Sequence, residues 1–330
     1  MLQHRNAPLQ EADGAFPTVS SDVAFRATME NGEARMPPLR DEAGETWDFA
    51  TPAPRPSFRL EPGESLFTIG SCFARGVEYF LSSAGFDLPT LRFKVPAEEL
   101  SRQRVFANGL LNRYNPYSIT NEFRFSCENV PPETCFAGEE KVVDLHLHLG
   151  IAVPRERAVE RRLELHQINR EGIAASRVFV VTLGLIEVWY DTHNEVFING
   201  TPDFKLAKRQ PDRFLFRVMS PDETMDAVEE IVTTIGRYAR PDHRIILTVS
   251  PVPLGRTFSR QDIMSANAYS KSCLRTAAET ACRKFEHVDY FPSYETVLYS
   301  NREKSWLPDY VHVTNEMVAH NVRRLVEFYT

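Results

Sequence analysis

Short apolar runs alternate with longer stretches of helical period along most of the chain. The first run is Ser65-Leu66-Phe67-Thr68-Ile69. It stops at Gly70, and Phe73, Val77, Phe80 and Leu81 then recur at helical spacing. Strand, tight turn and helix are the reading. A second run, Val178-Phe179-Val180-Val181-Thr182-Leu183-Gly184, is apolar without alternation, as in a parallel strand covered on both faces. The charged segment before it, about 154–176, reads as a helix. Arg244-Ile245-Ile246-Leu247-Thr248-Val249 is a third strand. The helix before it opens at Ser220-Pro221-Asp222-Glu223, an N-cap with Pro at the first helical position and a capping-box Glu. Met225, Val228, Val232 and Ile235 form its apolar face. A helix over about 261–285, a short strand at Val288-Asp289-Tyr290-Phe291-Pro292 and a last helix from Asn315 to Phe328 complete the series. Alternating strands and helices predict a parallel α/β sandwich, and four clear strands are too few for an eightfold barrel.

The rest is less regular. Residues 1–60 are rich in Pro and polar side chains; Met36-Pro37-Pro38 and Thr51-Pro52-Ala53-Pro54-Arg55-Pro56 predict an extended arm, not packed helices. Its first residues are expected to be mobile, with Trp47 and Phe49 as anchors. Residues 61–330 are expected to form a single domain. Within it, about 117–150 and 186–218 read as irregular or β-rich insertions forming a cap or rim. Asp144 to Gly150 alternates like a strand, and Val196-Phe197-Ile198 followed by Asn199-Gly200 reads as a hairpin.

Composition narrows the class. The chain has 330 residues, 42% hydrophobic and 25% charged, which suits a globular protein with a sizeable core. A net charge of −7 argues against a general nucleic-acid binder, although Arg161, Arg162 and Arg170 leave a local basic patch open. The five cysteines are odd in number and contain no CxxC pair, so a reducing compartment is expected. Cys127 and Cys135 would pair only in an exported chain. The opening MLQHRNAPLQEADGAF holds no apolar h-region, and no run approaches the ~20 apolar residues of a membrane span. A cytoplasmic location without membrane association is the expectation.

Chemistry concentrates at two places. Ser71 in Gly70-Ser71-Cys72-Phe73-Ala74 falls between strand and helix, where backbone N–H groups and the helix dipole favour a developing oxyanion. An ordinary helix-capping serine would occupy the same position. Near the other end stands Asp309-Tyr310-Val311-His312. An Asp-x-x-His loop lets the carboxylate orient the imidazole while the imidazole faces a serine elsewhere. The alternative for His312 is a satisfied loop histidine. Cys72 offers a rival thiol nucleophile, or a small buried filler. Asp144, His146 and His148 alternate along one stretch and could present a metal face; three polar residues on an outer strand face is the commoner arrangement, and no metal is expected. No GxGxxG or GxxxxGK loop is present, and no cofactor is expected.

The motifs taken together resemble the GSCFA family, itself similar to the SGNH, or GDSL-type, hydrolases. Phe67 to Ala74 (FTIGSCFA), Thr182 to Trp189 (TLGLIEVW), Ser250 to Leu254 (SPVPL), Tyr290 to Glu295 (YFPSYE) and Asp309 to His312 carry the resemblance over about residues 60–315. It implies a three-layer α/β/α, flavodoxin-like fold with a parallel sheet and irregular cap insertions. It also implies a serine hydrolase or acyltransferase acting on an O-acylated carbohydrate or similar small ester. Ser71 would attack, His312 would take the proton, Asp309 would orient His312, and the Ser71 N–H would contribute to the oxyanion hole. SGNH enzymes draw further donors from a glycine and an asparagine. Here Glu187 stands in the block that should supply the asparagine, and an ionised Glu cannot donate. Gly109 and Asn115, in FANGLLNRYNPYSI, are the substitutes considered; Asn115, before Pro116, could equally cap a helix. A non-catalytic carbohydrate- or partner-binding protein retaining the fold is the alternative.

Overall fold

Four of the apolar runs pair side by side in one parallel sheet: β1 (Leu66–Gly70), β5 (Val178–Leu183), β9 (Arg244–Val249) and β10 (Val288–Tyr290), in the order β1-β5-β9-β10. The computed structural model describes residues 18–36, 48–100, 108–148 and 150–330. Trp47, Pro37, Pro38 and the first seventeen residues lie outside the described residues. On the free side of β1 the chain passes once more in parallel, through a single bridge between Ser65 and Asp87.

Both faces of the sheet are covered, so its strands have no polar face. Residues alternate between two cores. Phe67, Ile69, Phe179, Val181, Ile245 and Leu247 pack with α3 (Pro116–Cys127), α6 (Pro221–Tyr238) and α7 (Ile263–Lys284). Leu66, Val178, Val180 and Ile246 pack with α2 (Cys72–Ser83) and α10 (Asn315–Tyr329) on the opposite face. Each such fully buried side chain contributes about 1.5–3 kcal/mol by leaving water. The result is a mixed α/β fold built around a parallel sheet, as the pattern predicted. No helix among the described residues is long and apolar enough to cross a membrane.

Two small antiparallel sheets and the short helices α5 (Phe204–Arg209), α8 (Ser293–Tyr299) and α9 (Arg302–Ser305) accompany it. One sheet joins β2 (Phe136–Gly138), β3 (Lys141–Asp144) and β4 (Val153–Pro154); the other is ordered β7-β6-β8 from β6 (Glu187–Asp191), β7 (Val196–Ile198) and β8 (Phe214–Val218).

Several local expectations differ. The arm contains a helix, α1 (Ser21–Glu30), capped by Ser20 and free of Pro and Gly, although none of its residues is buried. Phe49 does anchor the arm, its ring 5.0 Å from that of His320. The segment expected to be irregular from 117 begins as helix α3, because Asn115 and Ser118 form a reciprocal capping box with Pro116 at the first helical position. Asp144 ends β3, and the residues after it turn instead of continuing the strand. The Asp144 carboxylate accepts the His146 N–H at 2.9 Å, a local bond that competes with a ladder. The hairpin before Val196 turns at 192–195, with Glu195 at φ 55°, while Asn199 is buried and braces other loops. Arg161 and Arg162 form no basic patch. Both are buried at the inner face of α4 (Arg155–Ala175) and paired with carboxylates.

Candidate active site

Gly70 ends β1 at φ 144°, where a Cβ would sit 2.3 Å from the Thr182 carbonyl oxygen. Only glycine allows this approach of β1 to β5 and the turn that follows. Ser71 comes next, in the capping position of α2, yet its side chain caps nothing. Its Oγ is buried, the residue being 2% exposed, and has no hydrogen-bond partner among the described residues. An ordinary N-cap serine would bond an N–H of the first turn. This hydroxyl instead borders a cavity of about 700 Å³.

His312 borders the same cavity. Its loop is folded tightly: Leu307 N–H donates to the His312 carbonyl at 2.8 Å, and Trp306 bridges Val313. Tyr310 takes φ 54° to make the turn. One Asp309 oxygen accepts the N–H groups of Val311 and His312, at 3.0 and 2.9 Å; the other lies 2.6 Å from His312 Nδ1. That contact and the two N–H bonds hold the Asp309 carboxyl well below the usual carboxylate range. The imidazole is thereby oriented, and its Nε2 makes no hydrogen bond among the described residues. Ser71 and His312 share the cavity without a hydrogen bond between them.

The other candidates fall differently. Asn115 borders the cavity but is fully engaged. Its Oδ1 accepts Ser118 N–H at 2.9 Å, and its Nδ2 donates to the Ile198 and Asn199 carbonyls. Gly109 opens a short 3-10 turn and does not border the cavity. The Ser71 N–H donates to Thr182 O at 3.3 Å, within the sheet. Glu187 faces the cavity and acts as an acceptor, from Phe258 N–H at 3.1 Å and from the Thr257 hydroxyl. Cys72 is half-buried and borders the cavity, so it is more than a core filler. Asp144 and His146 are buried, not on an outer face, and Asp144 is paired with Arg162. Among the described residues no cluster of His, Cys, Asp or Glu is placed to hold a metal ion.

A family model described as the GSCFA family matches residues 65–325. The chain belongs to the GSCFA family. No curated protein matches it.

Three features beyond the triad motifs shape the GSCFA site. Asn112 to Asn115 threads between strand ends: Arg113 N–H donates to Gly70 O at 2.7 Å, and Leu185 N–H to Tyr114 O at 2.8 Å. Gly184 is required there, since a Cβ would lie 2.5 Å from Tyr114 O. Asn199 braces the thread from β7, accepting Tyr114 N–H at 2.9 Å and donating to Asn112 O at 2.7 Å. Lys271 is buried on α7 and donates to Gly184 O and Val252 O, both at 2.7 Å. It ties together the loops leaving β5 and β9. A signal for it was present: one lysine among Ala266, Ser270, Cys273, Leu274, Ala277 and Ala278 on a small-residue face.

Burial pushes the Lys271 ammonium down to about 7 from an ordinary 10.5, against a smaller opposing influence from Cys72. Between those values the unfolded chain binds a proton that the folded chain does not, so this group makes stability rise with pH. Lys271→Met is therefore expected to flatten the gain in urea midpoint between pH 7 and pH 9.5. A difference between variant and wild type that is the same at both pH values would contradict it.

Proposed function

We propose that this protein is a serine acyl hydrolase or acyltransferase of the SGNH type, acting on an O-acylated carbohydrate or similar small ester. The observation that carries the reading is the Ser71 hydroxyl. It is buried at a strand-to-helix turn without a partner, and it borders the same cavity as an imidazole oriented by Asp309. A buried hydroxyl left unbonded costs about 1–3 kcal/mol, which favours a position kept for chemistry over one kept for stability. The sheet order adds support. With the Asp87 segment counted second, it reads 2-1-3-4-5, the order of flavodoxin-like doubly wound sheets, whose ligands bind beyond the carboxyl ends of the strands.

In this reading Ser71 Oγ attacks the ester carbonyl while His312 Nε2 takes its proton. The acyl group passes to Ser71, and His312 returns the proton to the departing alcohol. Water or an acceptor hydroxyl, deprotonated by His312, then attacks the acyl carbonyl, and His312 returns that proton to Ser71 Oγ as the acyl–serine bond breaks. The positive end of α2 faces the charge that develops on the carbonyl oxygen.

The test is labelling of the purified protein by a fluorophosphonate probe. Wild type is expected to label and Ser71→Ala not to. Equal labelling of both, or none of either, overturns the reading; Cys72→Ser alone abolishing turnover would make the thiol the nucleophile. One observation favours the non-catalytic alternative: the Ser71 N–H and the Asn115 amide, both oxyanion candidates, already have acceptors. That alternative predicts binding of an acylated sugar without labelling or turnover.

A further inference from the structure

We infer that Trp189 and Phe258 form the face on which a pyranose ring of the acylated substrate stacks, and that Glu187 is the positioning residue that sets this face. The inference rests on the proposed carbohydrate-ester reading for its substrate, but not for its geometry. Trp189 on β6 and Phe258 both border the cavity that holds Ser71 and His312. Their rings meet edge to face, with centroids 5.2 Å apart, and Phe216 backs both from 5.1 and 5.7 Å. Phe258 remains 37% exposed, so part of an aromatic surface is open at the mouth of the site.

The loop that carries Phe258 is fastened at three points. Lys271 holds the Val252 carbonyl, Asn267 Oδ1 accepts Leu254 N–H at 3.1 Å, and Glu187 accepts Phe258 N–H and the Thr257 hydroxyl. A side chain that cannot serve the oxyanion is thus accounted for: Glu187 fixes the rim. Arg256 on the same loop borders the cavity and makes no hydrogen bond or ion pair among the described residues, so its guanidinium can reach ligand oxygens. The rest of the wall mixes Asp203 and His148 with Leu145, Leu147, Ile198 and Leu254. A ligand with one apolar face and a hydroxyl-bearing edge fits that mixture, as a pyranose does; an acyl tail would leave the polar groups unmatched. A cavity of about 700 Å³ exceeds the need of an acetyl group alone.

The experiment uses the full chain with Ser71→Ala, so that binding is read without turnover. Tryptophan fluorescence follows titration with a mono-O-acetylated methyl glucopyranoside and, separately, acetyl-CoA. Trp189→Ala and Phe258→Ala are each expected to weaken glycoside binding roughly tenfold, the scale of one lost aromatic contact. Binding by the Trp189 variant is read calorimetrically. Glu187→Ala should weaken it similarly, and Glu187→Gln, which keeps an acceptor for Phe258 N–H, should restore it. In the Ser71-containing enzyme, the ratio of kcat/KM for the glycoside to that for ethyl acetate should fall by the same factor, through KM. Glycoside binding insensitive to Phe258→Ala and Trp189→Ala overturns the inference. So does acetyl-CoA binding that depends on these rings while the glycoside does not bind. If labelling and turnover fail but ring-dependent glycoside binding persists, the acyl-enzyme reading falls and the sugar face stands.

Discussion

Arg162→Met is expected to cost about 3–5 kcal/mol of folding stability, because it strips the central cation from a buried ion network. The Arg162 side chain is 0% exposed and lies between two carboxylates. Its Nε donates to Asp144 at 2.9 Å, and its Nη1 to Glu122 at 3.1 and 3.3 Å. Glu122 also accepts from Arg113 and, at 2.8 Å, from Asn169. Burial alone would raise the Glu122 carboxyl, but Arg113 and Arg162 more than offset it and hold it at about 2. Its own burial, and then the same guanidinium, keep His146 neutral, at about 3. Methionine fills the volume and supplies no proton donors, leaving Asp144 without its ion-pair partner. Glu122 is below its ordinary 4.5, so its share of stability is complete above that value and is lost as pH falls through about 2. Guanidinium unfolding at pH 7 checks the prediction. A loss under 1 kcal/mol would mean that the network is dispensable. Removing Asp144 together with Arg162 should cost less than the sum of the two single changes, since the pair shares one interaction.

That network also marks where sequence reading stopped. The parallel strands were legible because both of their faces are buried. Val178 to Leu183 reads as a strand at any register, and α6, before β9, carries a clean apolar period and an N-cap at Ser220. Arg161 and Arg162 misled, because local charge says nothing about partners far along the chain. Their carboxylates, Glu99, Glu122 and Asp144, come from three different segments that only the fold assembles. Asp144 to Gly150 failed as a strand for a related reason: a side chain that caps its own turn defeats alternation. Ser71, Asp309 and His312 were legible as motifs, and Ser71 and His312 do border one cavity. The wall opposite them was not. Asn115 is the helix cap that its place before Pro116 also suggested, and Glu187 could be recognised as a loop fastener only once Thr257 and Phe258 were seen beside it.

Asp309→Asn is expected to lower kcat by about 10⁴ with little change in the unfolding midpoint, the scale set by the equivalent change in serine triads. The two oxygens of Asp309 have separate duties. The one that accepts Val311 and His312 N–H shapes the loop, and the asparagine carbonyl can replace it. The other, 2.6 Å from His312 Nδ1, is what an amide NH₂ would replace. A donor facing Nδ1 requires the lone pair there, which moves the imidazole proton to Nε2, the nitrogen that accepts the Ser71 proton in the proposed mechanism. The fold is retained and the tautomer is wrong. Because the native carboxyl is held well below its usual range, largely by His312, Asp309 stays ionised through the neutral and mildly acid range. An acid limb in the wild-type pH–rate profile is thus not the protonation of Asp309. His312→Ala should reduce kcat comparably, and the double variant little further, since groups that act as one unit are not additive. Steady-state turnover of ethyl acetate, with circular dichroism as the control for folding, measures all three. An Asp309→Asn enzyme within threefold of wild type would remove Asp309 from the mechanism and leave Ser71 and His312 to act as a dyad.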